Sequence, residues 1–356
     1  MTGVAAQRQM RGLSGLRWPG TYSGWGALTA CLVLPLAMLA ALTVGRYPLP
    51  PQALLRLIGA VCGLLPMDPA ERDTLLNVVV QIRLPRVMAA ALVGAALSAS
   101  GAAYQAVFRN PLVSPGLLGV LAGAAFGAAL GILLAWPWWA VQALAFGTGV
   151  LAVVVALGVA GLFGEGGLVM LVLGGILSSA LLSSLLACVK YVADPYNQLP
   201  AIVYWLMGSL AVADLSQLAW MGGPMLLALG LTCLLGRGLD ALAMGDDEAH
   251  SLGLPVRRVR LSVIGAATLM SALTVSLAGM IGWVGLIVPH IARLLVGPAH
   301  ARLLPFSAVL GALFLVGADA LSRSWTTTEV PIGIVTELLG IPVFLLVLGR
   351  VRKGWA

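Results

Sequence analysis

Apolar runs of about 20 residues, separated by short polar breaks, set the pattern of this chain. They fall at about 26–45, 86–108, 116–135, 138–162, 168–189, 216–236, 261–281, 283–296, 303–321 and 332–349. Most runs are long enough for a helix to cross a bilayer, and all exceed the roughly 10 alternating residues of a barrel strand. The pattern therefore predicts an all-α polytopic membrane protein with about ten transmembrane helices. Between the first two runs, residues 52–65 predict a short helix lying on the outer surface. Residues 201–213 are too short to span and predict a half-helix or re-entrant piece. After residue 86 the longest polar interruption is 239–260, where acids come first and a Gly-Leu-Pro break and basic residues follow. It reads as two short helices broken at 253–255, a compact knob that a soluble partner could grip. The plain alternative is a solvated loop whose arginines set topology.

Composition agrees with this picture. The chain is 60% hydrophobic and 9% charged, with mean hydropathy +1.01, whereas soluble domains carry about 25% charge. A net charge of +7 does not point to nucleic acid, because the arginines are scattered among loops without interleaved aromatics. Topology explains them better. With an inside N-terminus and ten spans, 13 of the 20 basic residues fall on the inside, Arg109, Arg237, Arg257, Arg258 and Arg260 among them. The basic N-terminus followed by the 26–45 run could be a signal peptide, but the run is long and no small-residue cleavage site precedes Arg46. The expected layout is a cytoplasmic tail over 1–25, one transmembrane domain over 26–350 and a cytoplasmic end over 351–356. The four cysteines, Cys31, Cys62, Cys188 and Cys233, are too dispersed for a disulfide or metal framework and read as buried thiols.

Gly119, Gly123, Gly127 and Gly131 repeat every four residues on one predicted helix face and mark a close packing seam. Ser178, Ser179, Ser183 and Ser184 could line a pore or pack against a neighbour. Much chemistry is excluded. The only lysines are Lys190, followed by tyrosine, and Lys353, followed by glycine, so neither belongs to a phosphate-binding G-x-x-x-x-G-K-[ST] loop. The histidines His250, His290 and His300 form no ligand pair, and no metal site is expected. His290, after Pro289, reads as a packed histidine at a helix break or as a proton relay. Asp319 is the most membrane-embedded acid. It would suit an ion-coupled carrier, or it pairs with Arg323 one turn away. The chain makes a path but holds no ATP-hydrolysing motif, so energy comes from a gradient or from another subunit.

Six ordered motifs carry a family resemblance over nearly all the chain from about residue 30. They are Arg83-Leu-Pro-Arg86 with Val-Gly-Ala-Ala-Leu at 93–97, Phe108-Arg-Asn-Pro-Leu with Pro-Gly-Leu-Leu-Gly-Val at 115–120, and Trp205-Leu-Met-Gly-Ser-Leu. The others are Ser251-Leu-Gly-Leu-Pro, Gly285-Leu-Ile-Val-Pro-His-Ile-Ala-Arg293 and Pro331-Ile-Gly-Ile-Val-Thr. With them the chain resembles the permease subunits of cobalamin and iron–siderophore ABC importers. The resemblance implies a ten-helix subunit that pairs with a second copy or close paralogue. Two cytoplasmic ATPase subunits, which bind ATP and Mg, and an external substrate-binding protein complete the assembly. It implies transport of a metal chelate, an iron–siderophore complex first, with haem, cobalamin or a molybdate-type oxyanion as alternatives. It further implies that Gly245, Asp246, Asp247, Glu248, Ala249, His250, Ser251, Leu252, Gly253 and Leu254 form the ATPase contact. Arg83, Arg86 and Arg323, expected at the outer surface, match positions that pair with acids of the binding protein. The turn that forms an inner gate in the cobalamin member is here Gly164, Glu165, Gly166 and Gly167, without that member's usual hydroxyl or charged pattern.

Overall fold

A computed structural model of the chain describes residues 25–162 and 167–352. The regular structure among them is helical. Helix α1 (Trp25–Thr43) is followed by α2 (Pro51–Val61) and α3 (Pro69–Leu76). Both short helices begin on proline, whose fixed φ suits a first helical position and whose missing N–H costs nothing there. Asp68 caps α3 by accepting a hydrogen bond from the Glu71 amide at 3.3 Å. A π-helical stretch, Asn77–Arg83, then joins α3 to α4 (Leu84–Val107), giving one continuous helical rod of 39 residues. Pro85 explains the widened turn: it has no N–H for the carbonyl four residues back, and the looser winding accommodates the gap.

A 3-10 turn, Pro115–Leu118, leads into α5 (Val120–Leu133). There follow α6 (Trp138–Leu162), α7 (Leu168–Val192), α8 (Gln198–Leu206), α9 (Leu215–Leu234), α10 (Gly236–Met244), α11 (Asp246–Ser251), α12 (Val256–Ala278), α13 (Val284–Val296), α14 (His300–Ser324) and α15 (Ile332–Arg352). Six stretches are long and apolar enough to cross a membrane: the α3–α4 rod, α6, α7, α9, α12 and α14. Five shorter apolar helices, α1, α2, α5, α13 and α15, accompany them among the described residues, in keeping with about ten spans. The expected tail over 1–25 lies, apart from Trp25, outside the described residues.

The core is built on close backbone approach. Helix α4 is buried along most of its length. A Cβ on Gly94 would overlap the carbonyl oxygen of Gly311 in α14, and one on Gly311 would overlap that of Gly94. Without a hydrophobic drive between helices in lipid, such small-residue crossings let dispersion and backbone contacts hold the pair. The seam on α5 forms as expected at Gly123, Gly127 and Gly131, which meet Thr148 and Val141 of α6. Gly119 departs from it, because it ends the 3-10 turn and precedes α5.

Other expectations change. The half-helix lies earlier than 201–213, at Gln198–Leu206. The knob breaks first at Gly245, between α10 and α11, and again at 252–255. Cys62 and Cys188 are exposed on the single chain, not buried, and Cys233 is half-buried. Cys188 lies on α7, which also presents Leu173, Ile176, Leu177 and Leu181 outward.

Candidate functional site

Two polar constellations stand at opposite ends of the α4–α14 pair. The first is the knob. Helix α10 buries Leu239, Ala241 and Leu242 and exposes Met244. Gly245 then takes φ 148° and ψ 161°, a backbone region open to glycine alone, and this lets the chain turn abruptly into α11. Asp246, Asp247 and Glu248 occupy the first turn of α11, where negative charge offsets the helix dipole. The far end explains the Ser-Leu-Gly-Leu-Pro motif. The Leu254 amide donates to the Ala249 carbonyl at 3.0 Å and the Gly253 amide to that of His250 at 2.9 Å. Gly253 has φ 77°. These are the paired bonds of a glycine C-cap, with Leu254 supplying the accompanying apolar contact and Pro255 preventing continuation.

Asp246 anchors the knob. Its Oδ1 accepts from Arg109 at 2.5 Å and from Arg260 at 2.6 Å. Its carboxyl is held below the usual carboxylate range, first by the Arg260 hydrogen bond and then by the charges of Arg260, Arg109 and His250, against the opposing effect of burial. Asp240 of α10 accepts from the backbone amide of His300 at 2.6 Å and lies 2.8 Å from His300 Nδ1. What remains outward on the knob is Ala243, Met244, Asp247, Glu248, His250, Ser251, Leu252 and Gly253. Leu252 and Met244 are 66% and 61% exposed, large apolar side chains among acids.

The second constellation gathers the three sequence-predicted arginines, at the end of the α4–α14 pair opposite the knob, and there they are buried within the chain. Arg83, Arg86 and Arg323 are 5%, 7% and 6% exposed, and Asp319 is 0% exposed. Arg83 donates to the Leu42 and Tyr47 carbonyls at 2.7 and 2.5 Å, and Arg323 to those of Val44 and Ala41 at 2.6 and 3.2 Å. These guanidiniums thereby cap carbonyls of the last turn of α1 and of the segment that follows it. Arg86 bonds Asp319 through Nε and Glu329 through Nη1, both at 2.8 Å. Arg323 Nε lies 3.0 Å from Asp319 Oδ2. The i,i+4 pairing of Asp319 with Arg323 was legible in the sequence. Arg86 and Glu329 were missed as partners, because a sequence does not show which span ends meet. A shallow cleft beside them is lined by Arg86, Tyr204, Ser209, Ser322 and Glu329.

The remaining candidates fall elsewhere. His290 stacks edge-on to Phe344 at 6.3 Å between ring centroids. Arg293 reaches Gln105 Oε1 at 2.5 Å. Among the described residues no three His, Cys, Asp or Glu side chains gather as a metal set. Gly164, Glu165 and Gly166 of the expected gate turn lie outside the described residues. Gly167 precedes α7 with extended backbone and open space around it.

The model of the FecCD transport family matches residues 32–350. A molybdate import system permease of Haemophilus influenzae is 36% identical over 325 residues, covering 91% of this chain and 95% of that one. An iron chelatin transport system permease of Helicobacter pylori is 39% identical over 286 residues, covering 79% and 85%. A solved inward-facing structure of a metal-chelate type ABC transporter superposes with TM-score 0.80 at 34% identity, covering 91% of this chain and 98% of that one. Members of this family are membrane permeases without enzymatic activity of their own, the ATPase being a separate subunit. Six membrane-length apolar helices with five shorter ones, a chain without a phosphate-binding loop and a match over nearly its whole length lead to one assignment: the chain belongs to the FecCD transport family of ABC importer permeases.

Proposed function

We propose that two copies of this chain, or one copy and a close paralogue, form the translocation path of an importer in the cell inner membrane, with both termini cytoplasmic. Two ATPase subunits dock at Gly245–Leu254, and an external binding protein delivers the substrate at the arginine end. The observation that carries this reading is the knob. It is pinned from inside by Asp240 and Asp246, yet it presents Leu252 and Met244 outward. An exposed apolar pair on a rigid, otherwise charged projection is what a docking surface needs.

The arginine cluster supports docking in a modified form. Direct pairing of Arg86 with a partner's acid would require Glu329 to give way, because the guanidinium already holds two carboxylates. We place the binding protein over this rim, with Arg83 and Arg323 supporting it from beneath. An ion-coupled carrier loading at Asp319 finds little support: that carboxylate is fully buried between two guanidiniums, and releasing either would leave a buried charge unpaired.

For substrate, the near end-to-end match to a molybdate permease moves the first reading from an iron–siderophore complex to a molybdate-type oxyanion. The iron chelate stands second on the shorter match, and haem and cobalamin remain the other chelates in view. Purified chain should show no ATP hydrolysis and should form a stable complex with its cognate ATPase. Leu252→Asp combined with Met244→Asp should weaken that complex about tenfold or more. An unchanged affinity would remove the knob as the contact. Uptake of molybdate against a panel of ferric chelates, with the cognate binding protein present, decides the substrate.

A further inference from the structure

Helix α14 begins without a local cap. The residue before it is Ala299, which has no side-chain acceptor. Free N–H groups at a helix start are normally met by a Ser, Thr, Asp or Asn at that position. Here the acceptor arrives from 60 residues away: Asp240 Oδ1 takes the His300 amide at 2.6 Å. The same oxygen lies 2.8 Å from His300 Nδ1. A carboxylate only accepts, so Nδ1 carries the proton and the contact is a second hydrogen bond to one atom. The helices also meet through backbone. A Cβ on Gly236 would stand 2.8 Å from Ala301 Cα. Helix α10, the stem of the knob, is thus fastened to the first turn of α14 by a borrowed cap and a close backbone approach.

What lies beyond α14's first turn makes the link more than local. The helix runs to Asp319 and Arg323, which are tied to Arg86 of α4. Midway, Gly94 and Gly311 leave no slack between α4 and α14. The other end of α4 returns to the knob, where Arg109, just past its last turn, holds Asp246. We propose that Asp240 is a positioning residue for transport: by capping α14 from α10 it makes the knob and α14 one rigid body. Displacement of the knob by the ATPase then reaches the arginine cluster at α14's far end. This rests on the knob being the ATPase contact, as proposed above.

The test uses the complete transporter, with the ATPase and binding protein, in proteoliposomes. Asp240→Ala should assemble with the ATPase and hydrolyse ATP, while substrate moved per ATP falls roughly tenfold. Asp240→Asn keeps an oxygen that can accept both bonds and should restore most of the ratio. A cap that only stabilises the fold would lower transport and hydrolysis together. That result, or an unchanged ratio in Asp240→Ala, overturns the proposal.

A second readout needs no partner. Spin labels at Arg237→Cys in α10 and Arg302→Cys in α14, in a chain whose four native cysteines are replaced by serine, should give one narrow distance in the isolated chain, broadened by Asp240→Ala. In the assembled transporter nucleotide should leave the unsubstituted distance unchanged. A distribution indifferent to Asp240→Ala, or a distance that shifts with nucleotide, overturns it too. Failure of the unsubstituted chain to bind its ATPase would instead count against the docking reading, and the labels on the isolated chain would still report whether Asp240 joins the two helices.

Discussion

Asp319 shows how an isolated acidic residue in an apolar run acquires meaning from its neighbours. By itself in the sequence it could be an ion-coupling carboxylate or the partner of Arg323. In the fold it is the centre of a buried cluster in which Arg86, 233 positions away, is a principal counter-charge. That partner was not legible because the sequence shows i,i+4 neighbours and cannot show which span ends meet. Removing one member of a buried ion pair leaves the other charged and desolvated, at a cost of about 3–5 kcal/mol. Asp319→Ala should accordingly lower the melting midpoint of the detergent-solubilised chain sharply, as read by thermal unfolding. Loss of transport from Asp319→Asn with stability intact would revive the ion-coupled reading. Asp246 behaves differently, being partly exposed. Its folded carboxyl titrates below the ordinary value, so its contribution is present above about pH 4, the unfolded value, and is lost as pH falls through the folded one. The stability gap between the unsubstituted chain and Asp246→Asn should be flat from pH 5 to 8, about the neutral range, and should close only under more acid conditions.

At the scale of elements, periodic signals were legible and single crossings were not. Glycines every four residues announced a seam, and Gly123, Gly127 and Gly131 occupy one. The Ser251–Pro255 run announced a helix stop, and its capping bonds are present. By contrast, Gly94 and Gly311 stand out from no repeat, yet they set the closest approach between α4 and α14. The π-helical stretch before Pro85 was equally hidden, since it absorbs a proline that would otherwise predict a helix start. Gly311→Val would force these helices apart, and overpacking of this kind costs about 1–3 kcal/mol or more. The same change at Gly317 on α14, where nothing lies within 4 Å of an added Cβ, should be nearly neutral. Equal losses at the two sites, measured by yield of folded chain and thermal unfolding, would mean that α14 does not cross α4 at Gly311.

For the whole molecule, the number and kind of spans followed from hydropathy alone, because lipid requires every spanning segment to satisfy its own backbone hydrogen bonds. The arrangement of those spans did not, since ten similar helices can pack in many ways. What selects this one is a small set of non-apolar contacts: two glycine-lined crossings, the arginine cluster that finishes α1, and the knob held by Asp240 and Asp246. In the proposed function the chain is a passive path moved by a separate ATPase through the knob. Reconstitution tests that most directly: the chain is placed in liposomes with its ATPase and binding protein, and uptake is followed with and without ATP and with an imposed proton gradient. Uptake should occur only when ATP and both partners are present, and Leu252→Asp with Met244→Asp should abolish it. Gradient-driven uptake by the chain alone, lost in Asp319→Asn, would contradict it.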